Sequence, residues 1–343
     1  MMTRLCYITR NYRNLNGAGN KAKTDNEDTL QVIGARNLGL KRTFYPNKVI
    51  TFFLDLAGVI KYVFTVRRGD VVVLQYPVKK YFAFLCRIAH LKGAKTIALI
   101  HDLGSFRRKK LTIEKEINRL MHADYVIASN DTMKTWLKEH GYQHPLGALQ
   151  LFDYRSTSQS RKQLPSEHLR LVYAGALAMR KNSFLLKLAE QELPFELHIY
   201  GNRNGLPDMN ENPKILFHPF TPADTFIQKV EGDFGFVWDG DSLDSCTGNF
   251  GEYLRWNSPH KVSFYLRAGL PIIIWKEAAV APIVEKEGIG ITIENIQELG
   301  STLSRITPEQ LAEMRKNVLR ISERLREGVY MQDAISQALQ QIG

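Results

Sequence analysis

GDFGFVWDGD at residues 232–241 and CTGNFGEYLRWNSPHKVSFYLRAGLPIIIWKEAAVAPIVEKEGIGITI at 246–293 say more about the fold than any other part of the chain. Two apolar, strand-like runs, Phe234–Trp238 and Pro271–Trp275, bracket a segment bearing Asn257, His260 and Lys261. That segment opens a helix at the period Val262, Tyr265, Leu266, which stops at Gly269. A cation and an amide side chain at a helix start, beside the carboxyl ends of parallel strands, suit a phosphate-bearing ligand.

Working outward, strand-like runs at Leu5–Thr9, Val71–Gln75, Thr96–Ile100 and Tyr125–Ala128 alternate with helical periods at 25–37, 81–91, 113–121 and 131–140. Thr24 and Glu27 stand at capping-box spacing and predict a helix start near Asp25. The pattern lapses into the polar stretch FDYRSTSQSRKQLPSEHLR at 152–170, a linker composition, and then resumes with Leu171–Tyr173, Phe195–Tyr200 and Ile215–Phe217. Strand alternating with helix predicts parallel sheets covered on both faces. The expected fold class is therefore α/β, two doubly wound Rossmann-like domains with an interdomain cleft, at about 1–155 and 168–327. The closing apolar stripe Val329, Ala334, Ile335 and Leu339 belongs to a helix at 328–343, which can pack back on the first domain.

With 343 residues, the chain is long enough for two such cores. The three cysteines, Cys6, Cys86 and Cys246, are too far apart for a disulfide framework or a zinc spacing, and point to a reducing cytoplasm. Met1–Arg10 holds only a short apolar core, so no cleavable signal is expected. In Val49–Val66, the longest apolar stretch, Asp55 and Lys61 argue against a membrane span. The net charge of +11, from 46 basic and 35 acidic residues, fits a solvated charged face, an anionic small molecule or an anionic bilayer surface. Basic residues interleaved with aromatics are lacking, so no nucleic acid partner is expected.

Several groups could carry chemistry. His101-Asp102 follows the run Thr96–Ile100. There an Asp could take a proton from a hydroxyl with the His orienting it, or the two could form a buried pair that fixes the loop. Asp239, Asp241 and Asp244 could hold a divalent cation, form an acidic loop near a sugar, or be solvated. Gly17-Ala18-Gly19-Asn20-Lys21-Ala22 fits a dinucleotide fingerprint on paper. Its distance from the first strand, and the lack of an acid after the second, favour a plain glycine loop facing the cleft. Asn257 could bond a phosphate or sugar hydroxyl, or simply cap the helix.

The order Pro259, Lys261, Ala268, Gly269, Pro271 resembles the nucleotide-sugar half of GT-B glycosyltransferases, Pro-x-Lys, a helix, then Ala-x-Gly-x-Pro and a strand. Within that class the motif at 232–261, with His101-Asp102 and Arg180, is similar to bacterial galactofuranosyltransferases that build O-antigen and capsule-type polysaccharides. Streptococcal adhesin glucosyltransferases look like relatives. The resemblance implies transfer of galactofuranose from a UDP-sugar donor to a hexose hydroxyl, O-6, of a polysaccharide or lipid-linked oligosaccharide acceptor. It implies that Arg180, with Lys181 as neighbour, and Lys261 meet the donor diphosphate, so that neither metal nor cofactor is needed. By the same likeness Tyr200 and Gly201 lie near the nucleobase or ribose, with His260, Asn257 and Asp239 close to the donor. Gly17 and Gly19 then line the glycine loop, and Asp102 or His101 serves as base. Many retaining members carry two glutamates eight positions apart; Glu277 and Glu285 have that spacing in the wrong register, with Pro282 where the second should be, which favours inversion.

Two other readings stay open: a non-catalytic sugar-nucleotide-binding subunit of a glycosylation complex, and a glucosyltransferase acting on a glycoprotein. A second copy of the chain as partner stays open as well. Work at the inner face of the cytoplasmic membrane follows from a lipid-linked acceptor. Ile50, Phe53, Leu54, Ala57 and Ile60 lie at helical spacing among Lys41, Arg42, Lys48, Lys61, Arg67 and Arg68. Burial of that stripe against the first sheet is the favoured expectation, with attachment to anionic lipid the other.

Overall fold

The computed structural model of the chain describes residues 4–13, 18–77, 81–107, 111–163, 168–202, 205–207 and 211–342. It divides into two compact units, Met1–Asp153 with Glu327–Gly343, and Tyr154–Arg326.

The first unit runs β1 (Arg4–Tyr7), α1 (Ala18–Val32), β2 (Arg36–Asn37), α2 (Lys48–Thr65), β3 (Asp70–Tyr76), α3 (Phe82–Leu91), β4 (Lys95–Ile100), α4 (Gly104–Arg107), α5 (Ile113–Leu120), β5 (Tyr125–Ala128), α6 (Asp131–Glu139) and β6 (Leu146–Ala148). Its strands form a wholly parallel sheet in the order β2-β1-β3-β4-β5-β6. The β3 sequence DVVVLQY is almost entirely buried, as expected for a central strand with helices on both faces. From β1 the chain winds first to β2, then returns to β3 on the other side. That reversal opens a crevice at the carboxyl ends of β1 and β3.

The second unit runs β7 (Arg170–Ala174), α7 (Met179–Asn182), α8 (Phe184–Ala189), β8 (Glu196–Tyr200), β9 (Ile215–His218), α9 (Ala223–Lys229), β10 (Phe234–Val237), α10 (Gly248–Gly251), α11 (His260–Arg267), β11 (Ile272–Trp275), α12 (Ala281–Glu287), β12 (Gly290–Ile293), α13 (Leu299–Ser304) and α14 (Pro308–Glu327). Its parallel order is β12-β11-β10-β7-β8-β9, so the winding reverses between β7 and β10. Arg267, buried at the end of α11, donates to Ser322 Oγ at 2.8 Å and to the carbonyls of Ser156 and Ser158 at 2.9 and 2.8 Å. One guanidinium thus ties the entry segment to α14.

The last helix, α15 (Val329–Ile342), belongs to the first unit. Met331, Ala334, Ile335, Ala338 and Ile342 recur at helical spacing and join the core made by Tyr7, Leu30, Val71, Ile97 and Tyr125. Buried Asp153 accepts from the Tyr330 and Met331 amides at 3.3 and 2.8 Å and so answers orphan donors of its first turn.

Several local expectations are corrected. Thr24 and Glu27 do not cap α1, which begins at Ala18; the Thr24 hydroxyl bonds back to the Lys21 carbonyl at 3.0 Å. Glu27 is fully buried instead, accepting from Thr9, Tyr12 and Arg42. Its interior network outweighs the local capping pattern. Residues 36–37, read as helix, are strand β2, and the short strands β6 and β12 carry too few residues for a periodic signal. The stripe on α2 is not buried against the sheet. Thr51, Gly58, Val59 and Tyr62 face inward, whereas Ile50, Phe53 (62% exposed), Ile60 and Phe64 (80% exposed) face outward. Among the described residues no helix is long and apolar enough to cross a membrane.

Candidate functional site

In the second unit, the carboxyl ends of β7 and β10 bring together Tyr173, Gly175, Lys181, Asp239 and Lys261. Strand β7 ends at Ala174, whose amide donates to the Tyr265 hydroxyl at 2.6 Å, and the chain then turns through Gly175 at φ +146°. A side chain there would be strained, and its Cβ would also sit 3.8 Å from Lys261 Cε. A Cβ on Gly201, after β8, would collide with the Gly175 carbonyl. The two loops therefore press backbone on backbone. Lys181 is set by a second pair of main-chain bonds: its carbonyl accepts from Gly240 N at 2.7 Å, and Gly240 O accepts from Phe184 N at 3.1 Å.

Lys261 sits in the first turn of α11 with its ammonium 3.7 Å from the centre of the Tyr173 ring. A cation over an aromatic face is attracted to the ring quadrupole, but the site is poorly hydrated. Burial, and after it the Lys181 charge, bring the Lys261 pKa down to about 7, with Asp239 opposing both. Asp239 Oδ2 lies 3.4 Å from Lys181 Nζ and its Oδ1 accepts from Tyr173 OH at 3.2 Å. One carboxylate thus faces two ammonium groups, leaving a positive excess. The N-terminus of α11 at Pro259 has no side-chain cap, so its first turn adds a partial positive charge. Asn257 precedes this end rather than capping it, and its Oδ1 is buried with no hydrogen-bond partner among the described residues. Fixed positive charge plus an unanswered acceptor suits an anion that carries hydroxyl groups.

Other residues expected at the site have different neighbours. Exposed Arg180 lies over the Phe250 ring at 5.1 Å, so the salt bridge to Asp239 falls to Lys181, its neighbour. Tyr200 stacks on His218 at 4.4 Å and meets Phe226 edge-on, while His260 stacks on Tyr154 at 4.8 Å. Asp241 accepts from Thr247, and Asp244 accepts from Gln297 Nε2 at 2.8 Å. Tyr173 was missed from the sequence; only its place at the end of an apolar run could have marked it.

In the first unit, His101 and Asp102 follow β4 and are partly exposed. His101 Nε2 is 2.8 Å from Gln75 Oε1, and its ring stacks on Phe152 at 5.0 Å. The tie that holds the imidazole thus runs to β3. Asn26 Nδ2 donates to Gln75 Oε1 at 3.2 Å, and its buried Oδ1 has no partner among the described residues. Gly19 lies in the first turn of α1, so the glycine loop runs directly into the helix; Gly17 lies outside the described residues.

Residues 5–151 match the glucosyltransferase 3-like N-terminal domain, and residues 171–338 match the glucosyltransferase 3-like C-terminal domain. The chain is 30% identical over 274 residues to the beta-1,6-galactofuranosyltransferase WbbI of Escherichia coli (strain K12), covering 79% of each protein. The chain belongs to the glucosyltransferase 3-like family. Glucosyltransferase 3 of Streptococcus gordonii is 22% identical over 284 residues, covering 80% of each. In fold, the chain is similar to the lipopolysaccharide outer core galactosyltransferase WaaB in its apo form, at TM-score 0.61 and 14% identity, covering 98% of this chain and 99% of that one. It is a GT-B glycosyltransferase.

The depressed pKa of Lys261 makes the transferase's own stability depend on pH. Below about 7 the folded chain carries the charged ammonium and its full cost; between 7 and 10.5 the unfolded chain binds more protons, so stability rises with pH. Lys261→Met is expected to melt at a higher temperature than the parent at pH 6–7, with the difference shrinking toward pH 10. Melting curves across that range check it, and a constant difference would contradict the burial of the charge.

Proposed function

We propose that the enzyme transfers galactofuranose from UDP-galactofuranose to a hexose hydroxyl, O-6, of a growing polysaccharide or lipid-linked glycan. The observation that carries this reading is the pair of ammonium groups, Lys181 and Lys261, over the reversal between β7 and β10 in a relative of a beta-1,6-galactofuranosyltransferase. As the sugar leaves, negative charge grows on the diphosphate, and fixed cations with helix-start amides stabilise it without a metal. Lys261 is matched to this task, since its charge is unsatisfied until an anion arrives. Asn257 Oδ1 is free to accept from a donor hydroxyl. Asp102 is the proposed base, with His101 held by Gln75 beside it.

The matching glucosyltransferase 3 sequences support a second reading, with a glucosyl donor. Incubation with UDP-galactofuranose, UDP-glucose and UDP-galactose in separate reactions, with a hexose glycoside as acceptor, distinguishes them. Turnover with UDP-galactofuranose alone, unaffected by EDTA, is the expected outcome. Turnover with UDP-glucose alone favours the second reading, and loss in EDTA restored by manganese overturns the metal-free scheme.

Lys261→Met and Lys181→Ala should each weaken UDP binding tenfold or more, the equivalent of about 1.5–3 kcal/mol for a lost charge-assisted contact. Arg180→Ala should cost less, because its guanidinium rests on Phe250. Titration calorimetry gives all three constants; parent-like affinity in both lysine variants would place the donor elsewhere.

We also propose that α2 rests on the inner face of the cytoplasmic membrane. Its outward Val49, Phe53, Ile60 and Phe64 recur at helical spacing on one face, with exposed Lys48 at the start of the helix and exposed Arg67 and Arg68 just after its end. Each cation near anionic lipid contributes about 1 kcal/mol. Flotation should show salt-sensitive retention on anionic vesicles and none on neutral ones, and Phe53→Asp/Phe64→Asp should abolish it. No retention on any vesicle at low salt would overturn the assignment.

A further inference from the structure

The last two residues of β3, Gln75 and Tyr76, hold the segment after β4 from both ends. His101 N donates to the Tyr76 carbonyl at 3.0 Å, which carries the β3–β4 ladder one residue past β4. Gln75 pairs with Leu99 in that ladder. Side chains two apart along an extended chain point to one face, so the His101 ring stands one step beyond Gln75 on the same face of the sheet. Farther on, buried Glu116 of α5 accepts from the Gly104 and Ser105 amides at 2.8 and 2.7 Å and from the Tyr76 hydroxyl at 2.8 Å. The imidazole is therefore presented to Gln75 by a loop tied at both ends, and Phe152, stacked on it at 5.0 Å, fixes the plane of the ring.

The hydrogen-bond roles around Gln75 have one consistent assignment. Gln75 Nε2 lies 3.0 Å from the Lys23 carbonyl, which only accepts, so the amide nitrogen must face it and Oε1 must face the other way. Oε1 then offers two lone pairs to two neighbours, Asn26 Nδ2 at 3.2 Å and His101 Nε2 at 2.8 Å. Asn26 must donate, because its own Oδ1 in that place would stand against Oε1. It keeps this orientation although Oδ1 is left buried without a partner among the described residues. His101 must donate too. A lone pair on Nε2 would meet a lone pair of Oε1 at 2.8 Å, and turning the ring over would put a carbon there. The 3.4 Å between Asn26 Nδ2 and His101 Nε2 is then the separation of two donors that share one acceptor. Nε2 keeps its hydrogen whether the ring is neutral or cationic, so the proton that comes and goes is the one on Nδ1.

We propose that Gln75 is a positioning residue of the transferase: it holds His101 as the Nε2–H tautomer, so that a proton released by the acceptor hydroxyl reaches the imidazole only through Nδ1. An amide does this without lending the ring a counter-charge, as a carboxylate would. This rests on the proposed role of His101 and Asp102 in handling that proton, but the decisive measurement does not use turnover. The full chain, with its histidine ring nitrogens isotopically labelled for NMR, is observed at about pH 8.5, above the ordinary histidine pKa of about 6.5. Loss of signals in His101→Asn assigns the ring. In the parent, His101 Nδ1 is expected at the pyridine-type position and Nε2 at the pyrrole-type position, without averaging. Asn26→Ala, which removes the other donor to Oε1, should leave both in place. Gln75→Leu should move both toward the average of the two tautomers and lower kcat about tenfold or more, with UDP affinity and the circular dichroism spectrum at parent values. The parent spectrum alone decides the tautomer, whatever the stability of the variants. An Nδ1–H tautomer or averaged signals in the parent would overturn the proposal. So would signals unmoved by Gln75→Leu, or a parent-like kcat in that variant. A parent-like kcat in His101→Asn would overturn it by removing His101 from the reaction, and the parent's single tautomer would tell that failure from a failure of the Gln75 tie.

Discussion

An ammonium group packed over an aromatic ring, with a second ammonium nearby and one carboxylate between them, is the constraint around which the second unit is arranged. Lys261 cannot satisfy its charge within the protein: burial and Lys181 push its proton off, and Asp239 only partly restores it. A lysine held so far below its ordinary pKa in a crevice marks a candidate site for an anion. The surroundings hold it in place. Tyr173 is fixed through its hydroxyl by the Trp238 carbonyl, Asp239 and Asn182, and Gly175 leaves room above the lysine because it has no side chain.

The two units repeat one winding scheme and put it to different electrical use. Both sheets reverse direction once, and both reversals create a crevice at strand carboxyl ends. In the second unit the crevice is charged, with the first turn of α11 at its edge. In the first it is mostly apolar, with Arg10, Arg13 and Lys48 among its lining. The same topology therefore presents two unlike electrical environments.

Much of the architecture was legible because buried parallel strands are runs of Val, Ile and Leu, and because Pro259 to Pro271 carries five motif residues in fixed order. What escaped the sequence depended on contacts distant along the chain. Thr24 and Glu27 obey a local capping rule, yet Glu27 is claimed by Thr9, Tyr12 and Arg42. Arg180 and Lys181 are adjacent and both basic; the turn of α7 and its bonds to Gly240 decide which one meets Asp239. Periodicity showed that α2 is amphipathic, but two faces of an apolar-rich helix compete for the interior, and the face with Gly58 and Tyr62 is the one buried, Tyr62 reaching the Leu85 carbonyl of α3. The glucosyltransferase 3-like membership rests on the whole chain, whereas donor and acceptor depend on a handful of such contacts.

The return of α15 to the first unit bears on how the protein is made. Residues up to Asp153 leave the ribosome early, but the core around Tyr7, Leu30 and Ile97 lacks one wall until Met331 and its neighbours follow. At about 5–20 residues per second, that interval is on the order of ten seconds or more. The second unit, contiguous from Tyr154 to Arg326, can close first. The half of the molecule synthesised first is thus the last to be completed, and its apolar sheet face is what a chaperone would meet in the meantime.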